Sequence, residues 1–271
     1  MELQGAKQRF ESQGIKLAAI SYDSESILRD FAERHKIDFP LLADPESKVI
    51  RSFRVLNETA TGRAKGVALP GFVYIDANGV IREKYFEEDY EQRFTANNVI
   101  AKMFPELVEE SSHKVKAPHL QLKLAQSDRS AFPGSRVSLV MEVGLPAGTH
   151  VYAPNAYGYK PISLAVQPSE DVRVTTASYP QAKILYLEAI NEQVPVFEGN
   201  FQIAQDVTIS SSKSMLASLG ASGRTLRVAG ELRYQACDKR ICFPPTHVPV
   251  CWQLRVLPLD YQRSPEAIRH K

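Results

Sequence analysis

Along the first hundred residues the apolar positions switch between a helical and a strand period. Leu3 to Phe10, continuing through Ser12, places its apolar residues on one helical face and stops near Gly14. Ile15–Ser21 is a short apolar run of buried-strand type, and Asp23 or Ser24 can cap a helix carrying Ile27, Leu28 and Phe31 on one face as far as His35. Phe39–Ala43 reads as extended. Asp44-Pro45 predicts a helix opening with proline in its first turn. Gly71–Asp76 and Val80–Tyr85 flank Ala77-Asn78-Gly79, a hairpin signal, and a last helix is predicted from about Tyr90 to Met103. This alternation is that of an α/β domain over residues 1–104.

From 105 to 118 the chain turns polar and charged, which predicts a linker. Beyond it the pattern becomes short strands separated by Pro, Gly and Ser, as in an antiparallel sandwich. Arg136–Val143, Pro161–Val166, Val172–Ser178, Gly199–Ile209, Leu226–Tyr234 and His247–Leu257 read as its strands. The expected second domain is therefore an all-β sandwich over 119–258, with a frayed tail at 259–271.

Composition narrows the function classes. A net charge of +2 with 24% charged residues gives no basic field for nucleic acid. No apolar run approaches the roughly eighteen residues of a membrane span. The residues from Met1 to Phe10 are polar and lack the apolar stretch of a secretory signal. Three cysteines are too few for a disulfide framework and leave the compartment open.

Two of those cysteines carry the chemistry. Tyr234-Gln235-Ala236-Cys237-Asp238-Lys239-Arg240-Ile241-Cys242-Phe243-Pro244-Pro245 follows a β-type run, and its double proline prevents continuation as helix or central strand. Thiols on so short a stiffened loop can close a small ring. Three readings stay open: reversible exchange, an inert disulfide stabilising by roughly 2 kcal/mol, and metal ligation. Cys237, Cys242, His247 and Cys251 offer a tetrahedral zinc set, although the four-residue gap is wider than the usual Cys-x2-Cys hook. Cys251, within Val248–Trp252, reads as a small buried hydrophobe and an unreactive free thiol. Lys239 and Arg240 lie inside the loop, where positive charge favours thiolate.

The N-terminal part resembles the redoxin group that includes alkyl hydroperoxide reductase and thiol-specific antioxidant proteins. Ala19-Ile20-Ser21-Tyr22-Asp23, Phe39-Pro40-Leu41-Leu42-Ala43-Asp44 and Leu69-Pro70-Gly71-Phe72-Val73-Tyr74-Ile75-Asp76-Ala77-Asn78-Gly79 carry the likeness. The resemblance implies a thioredoxin-like fold, incomplete at its N-terminus, with Pro70 as a cis-proline beside the redox position. It departs from the group at the essential point: no cysteine lies between Met1 and Ala236, so this domain supplies no thiolate to attack a peroxide.

The second half resembles the N-terminal domain of the disulfide reductase DsbD, an immunoglobulin-like sandwich. Tyr234-Gln235-x-Cys237-x4-Cys242-Phe243-Pro244-Pro245 carries that likeness, with Gly148-Thr149-His150-Val151-Tyr152 and Val196-Phe197-Glu198-Gly199-Asn200-Phe201 in support. It implies an electron relay through Cys237 and Cys242, with Tyr234 a neighbour of the pair; Tyr152 either packs near the pair or is simply core, the more common place of a tyrosine in a sandwich. It further implies a thioredoxin-like or other dithiol protein as partner, no cofactor or metal, and an extracytoplasmic setting. In that family an aromatic loop shields the cysteines. Leu185–Glu192 is the corresponding stretch, where Tyr186 or Ile190 would replace the usual phenylalanine. The rival expectation is a non-catalytic binding module holding a permanent disulfide.

Overall fold

The computed structural model describes residues 2–87, 89, 91–108, 113–187 and 191–269. The chain divides into two compact units, Met1–Met103 with Leu259–Lys271, and Phe104–Pro258.

The first unit contains, in order, α1 (Glu2–Ser12), β1 (Ala19–Ser21), α2 (Glu25–His35), β2 (Leu41–Ala43), α3 (Lys48–Ser52), β3 (Gly71–Ile75), β4 (Ile81–Phe86), β5 (Arg93–Phe94) and α4 (Ala96–Met103). Helix α1 buries Ala6 and Phe10, four positions apart and hence on one face. Ser24 occupies the N-cap position of α2, and Lys36 closes it in the left-handed conformation at φ 51°. β1 and β2 pair in parallel, Ile20 opposite Leu42. β3 and β4 form the expected antiparallel hairpin. Asp76 Oδ1 accepts the N–H of Asn78 at 2.9 Å and of Val80 at 3.0 Å across its turn. A side chain at Gly71 would run into the Tyr85 carbonyl and the Phe86 ring, so the strand approaches its neighbour there on glycine alone. β1 and β3, from the two separate two-stranded sheets, both line a cavity of about 610 Å³.

Three readings in this unit are corrected. The helix after Asp44 begins at Lys48, because both Asp44 carboxylate oxygens accept backbone N–H groups, those of Lys48 and Ile50, and Ser47 turns left-handed at φ 53°. Pro45 precedes that helix. Helix α4 starts at Ala96, where Thr95 Oγ1 accepts the N–H of Asn98 at 2.9 Å; Tyr90 lies outside the described residues. The Leu69–Pro70 bond is trans. Trans is intrinsically favoured at X–Pro by about 0.5–1 kcal/mol and needs no facing group to select it.

The second unit is a β-sandwich. It comprises β6 (His113–Ala117), β7 (Leu120–Gln126), β8 (Ser130–Ala131), β9 (Ser135–Gly144), β10 (His150–Tyr152), β11 (Ser163–Val166), β12 (Val172–Val174), β13 (Lys183–Leu187), β14 (Glu192–Glu198), β15 (Asn200–Ile209), α5 (Lys213–Ser218), β16 (Arg224–Tyr234), β17 (Ala236–Cys237) and β18 (Thr246–Val256). One sheet runs β12-β15-β9-β7-β6, a second β11-β16-β18-β8, and a third β13-β14-β10-β17. Strict alternation along β16 and β18 turns Leu226, Val228, Leu232, Val248, Val250, Trp252 and Leu254 into the core. There they meet Leu124, Leu139, Met141 and Ile203 from the first sheet. Buried Trp252 satisfies its indole by donating to the Ala125 carbonyl at 2.9 Å. Pro249 is tolerated within β18 because the other neighbour, β8, pairs only with Arg255 and Val256, leaving an open edge at Pro249.

The polar stretch read as a linker contains β6, which hydrogen-bonds to β7 as an edge strand through a turn with His119 at φ 63°. Its lysines fit an edge, where charge discourages further pairing. The tail read as frayed folds with the first unit. A short 3-10 turn spans Glu266–Ile268, and Arg34 Nη2 reaches Ser264 Oγ at 3.5 Å.

Candidate functional site

The two cysteines close a hairpin on the third sheet. Cys237 ends β17, and the chain turns through Asp238–Ile241 to Cys242, the two forming a disulfide with a Cα–Cα separation of 4.0 Å. The turn is internally satisfied. Asp238 Oδ1 accepts the N–H of Arg240 at 2.7 Å and of Ile241 at 2.9 Å, and the Asp238 N–H donates to the Ile241 carbonyl at 2.9 Å. Those two backbone donors hold the Asp238 carboxyl below the usual carboxylate range. Below the disulfide, the Phe243 N–H donates to the Ala236 carbonyl and Gln235 Nε2 to the Phe243 carbonyl. Phe243 stacks on His119 with ring centroids 3.7 Å apart.

The two cysteines are unequally placed. Cys237 is 1% exposed, packed with Tyr152, Ala156, Val194 and Val196, whereas Cys242 is exposed. The Tyr152 hydroxyl lies 3.5 Å from Cys242 Sγ and 3.6 Å from Cys237 Sγ. With both sulfurs in the disulfide, that hydroxyl is the donor in both contacts. Burial raises the Tyr152 phenol above its ordinary value, so it keeps its proton at neutral pH. Tyr159 packs on Tyr152 with ring centroids 4.3 Å apart and donates to Glu192 Oε2 at 2.7 Å. That hydrogen bond pushes its phenol up to about 12.

Of the residues singled out from the sequence, the structure brings together Cys237, Cys242 and Tyr152. Tyr234 belongs to the main sandwich core, where its hydroxyl donates to the Pro118 carbonyl at 2.6 Å and burial pushes its phenol up to about 12. Lys239 and Arg240 are exposed on the turn. Pro70 belongs to the first unit and lines the cavity there. In the expected shielding stretch, alternation along β13 sends Leu185 and Leu187 onto the cysteine cluster. Tyr186, 52% exposed, points away and donates to Asn191 Oδ1 at 2.6 Å. Tyr186 is therefore no cap, and Ile190 lies outside the described residues.

Cys251 is a free thiol, but it sits half-buried on the outer face of β18, opposite to the side that buries Val250 and Trp252. The alternation fixes this, correcting its reading as a buried hydrophobe. His247 engages Glu231 at 3.4 Å, and no group of three or more His, Cys, Asp and Glu converges among the described residues.

The sequence reading missed His150 as a neighbour of the pair, along with Tyr159, Leu185 and Leu187. The signal for His150 was present: in His150-Val151-Tyr152, strand alternation places it on the face of Tyr152.

The cysteine hairpin and the sandwich that carries it are matched by a known family. Residues 121–249 match the model for the N-terminal part of the thiol:disulfide interchange protein DsbD. Residues 1–84 match the AhpC/TSA family. Solved structures similar to this chain include the reduced DsbD N-terminal domain of Neisseria meningitidis, at 16% identity and a TM-score of 0.29. That match covers 44% of this chain and 78% of the other. Another is the N-terminal periplasmic domain of ScsB from Proteus mirabilis, at 15% identity and a TM-score of 0.34, covering 52% of this chain and 49% of the other. No curated protein matches. The resemblances carried by the redoxin motifs and the cysteine motif thus fall on separate stretches of the chain. Among the described residues no helix is long and apolar enough to cross a membrane.

Proposed function

We propose that this protein is a thiol–disulfide oxidoreductase that relays two electrons through Cys237 and Cys242, with its redoxin-like unit catalytically silent. The observation that carries this reading is the asymmetric disulfide: one cysteine exposed, the other buried, with a hydroxyl donor beside both sulfurs. A partner thiolate attacks Cys242 Sγ, forming a mixed disulfide. The Cys237–Cys242 bond breaks, and its electron pair leaves on Cys237 Sγ, which takes up a proton. The partner's second thiolate then attacks its own sulfur in the mixed disulfide. Cys242 leaves and is protonated, and the partner departs oxidised. The Tyr152 hydroxyl stands where it can donate to the thiolate developing on Cys237, a charge-assisted hydrogen bond in an apolar pocket. Tyr159, Leu185 and Leu187 wall that pocket.

The partner's chemistry follows from the exchange. It is a protein dithiol of the thioredoxin-like kind, able to present a thiolate to an exposed sulfur. The first unit supplies no thiol and serves on this reading as a scaffold. An inert staple in a binding module would be better served by burying both sulfurs, and Cys242 is exposed.

The test is capture. A Cys237→Ser chain incubated with a thioredoxin-like protein lacking its resolving cysteine should, on mild oxidation, accumulate one mixed disulfide at Cys242. The Cys242→Ser chain should accumulate far less. Equal capture by both variants, or by neither, contradicts the proposal.

A further inference from the structure

Resting on the relay reading, we infer that His150 exchanges a proton with the buried sulfur of Cys237 and thereby sets the pH dependence of the relay. His150 and Cys237 are directly opposed across β10 and β17. Such cross-strand pairs share a face and place their Cβ atoms about 4.5–5.5 Å apart. Two positions on, Tyr152 shares that face, and its ring meets the His150 ring edge-on with centroids 5.5 Å apart. His150 is 6% exposed, and its buried Nε2 has no hydrogen-bond partner. Buried polar atoms are normally satisfied, and a redox or catalytic role is one of the reasons for which an orphan is kept.

The charged and titratable groups facing His150 are few. Glu198 lies opposite it on β14 and is ion-paired to Lys183 of β13 at 3.7 Å. Cys237 lies opposite on β17, Asp238 follows in the turn, and Tyr152 is on its own strand. Burial lowers the His150 pKa against the smaller opposing pull of Glu198 and Asp238, so the imidazole is neutral near pH 7 and able to accept a proton.

When the reduced pair is oxidised, the thiol of Cys237 must lose its proton before its sulfur attacks the mixed disulfide at Cys242. The neutral imidazole takes that proton. The thiolate so formed donates its electron pair to Cys242 Sγ, the partner sulfur leaves with the other pair, and the imidazolium releases the proton to solvent. In the reducing direction the imidazole takes a proton from solvent and passes it to the Cys237 thiolate formed as the S–S bond breaks. The role is distinct from that of Tyr152, whose phenol keeps its proton across the neutral range.

The experiment follows oxidation of the reduced full chain by glutathione disulfide between pH 5 and 9, in the wild type and in His150→Phe and His150→Gln. Phe keeps the ring packing, and Gln keeps a polar group that cannot take a proton. Both folded variants should react about tenfold or more slowly at pH 7, with the rate profile moved to higher pH. A folded variant of either kind with the wild-type profile overturns the inference. A wild-type measurement stands independently of variant folding: the His150 imidazole, followed by NMR, should titrate at a different pH in the oxidised and reduced chains. Identical titration overturns the assignment. A wild-type chain that exchanges at no pH sinks the relay reading itself, whereas normal exchange with unshifted variant profiles sinks this inference alone.

Discussion

The two units differ in how completely their sheets are built, and the cysteine pair sits in the better-built one. In the first unit, β1–β2 and β3–β4 are separate two-stranded sheets. Ile20 and Leu42, opposite each other, are 38% and 51% exposed. Paired strands with no third neighbour are marginal in water unless helices cover them. In the second unit β9, β15, β16 and β18 are ten or eleven residues long and the core is continuous, and a third sheet forms a wall on which a hairpin exposes one cysteine and buries the other. On the relay reading that contrast serves the exchange, since the leaving cysteine sits in a pocket while the attacked one stays exposed. The lesson is that a motif acquires a role from the wall behind it.

The comparison breaks most visibly at the cysteines. The double variant Cys237→Ser, Cys242→Ser in the full chain should lose thiol–disulfide exchange completely and show no peroxide turnover with a thiol reductant. Residual turnover would move chemistry to Cys251 or into the first unit. Next in size, Trp252→Ala should destabilise the second unit by about 3–5 kcal/mol, the cost of a buried aromatic truncation, read as a lowered denaturant midpoint. Tyr152→Phe keeps the ring and removes the hydroxyl shared by both sulfurs. A net hydrogen bond is worth about 1 kcal/mol, so exchange should slow several-fold with little change in melting. Leu42→Ala should cost less than about 0.5 kcal/mol. A cost there like that of Trp252→Ala would mean that the first unit is as tightly built as the second.

The smallest effect is a pH dependence in the turn. The Asp238 carboxyl is held below its ordinary value, so its contribution is fully present above the unfolded value of about 3.9 and is lost as pH falls through the lower folded one. Hydrogen exchange at the Arg240 and Ile241 amides should accelerate, relative to their intrinsic rates, on acidification through that range. Asp238→Asn, which keeps an acceptor oxygen, should remove the pH dependence.

Much of the architecture was legible because burial on one face imposes a period. Arg136–Val143, Leu226–Tyr234 and His247–Leu257 read as strands and form β9, β16 and β18 to within two residues at each end. The hairpin at Asp76–Gly79 was legible because its turn chemistry is local. What escaped was set by non-local pairing. β6 is polar and becomes a strand through β7, and β10 is only three residues long, held between β14 and β17. The cysteine pair was legible from spacing and the prolines after it. The burial difference between its sulfurs was not, because it depends on Val194, Val196 and Tyr152 arriving from other strands. Tyr186 misled because its aromatic character was visible and its face was not.

Whether the Cys237–Cys242 disulfide is a reversible carrier is decided by its reduction potential. Equilibration of the full chain against defined dithiothreitol or glutathione ratios, with the Cys237 and Cys242 peptides quantified by differential alkylation, gives that value. A reversible carrier should show a potential near that of thioredoxin, about −270 mV, or higher. A potential below about −300 mV, the range of structural disulfides, would contradict it.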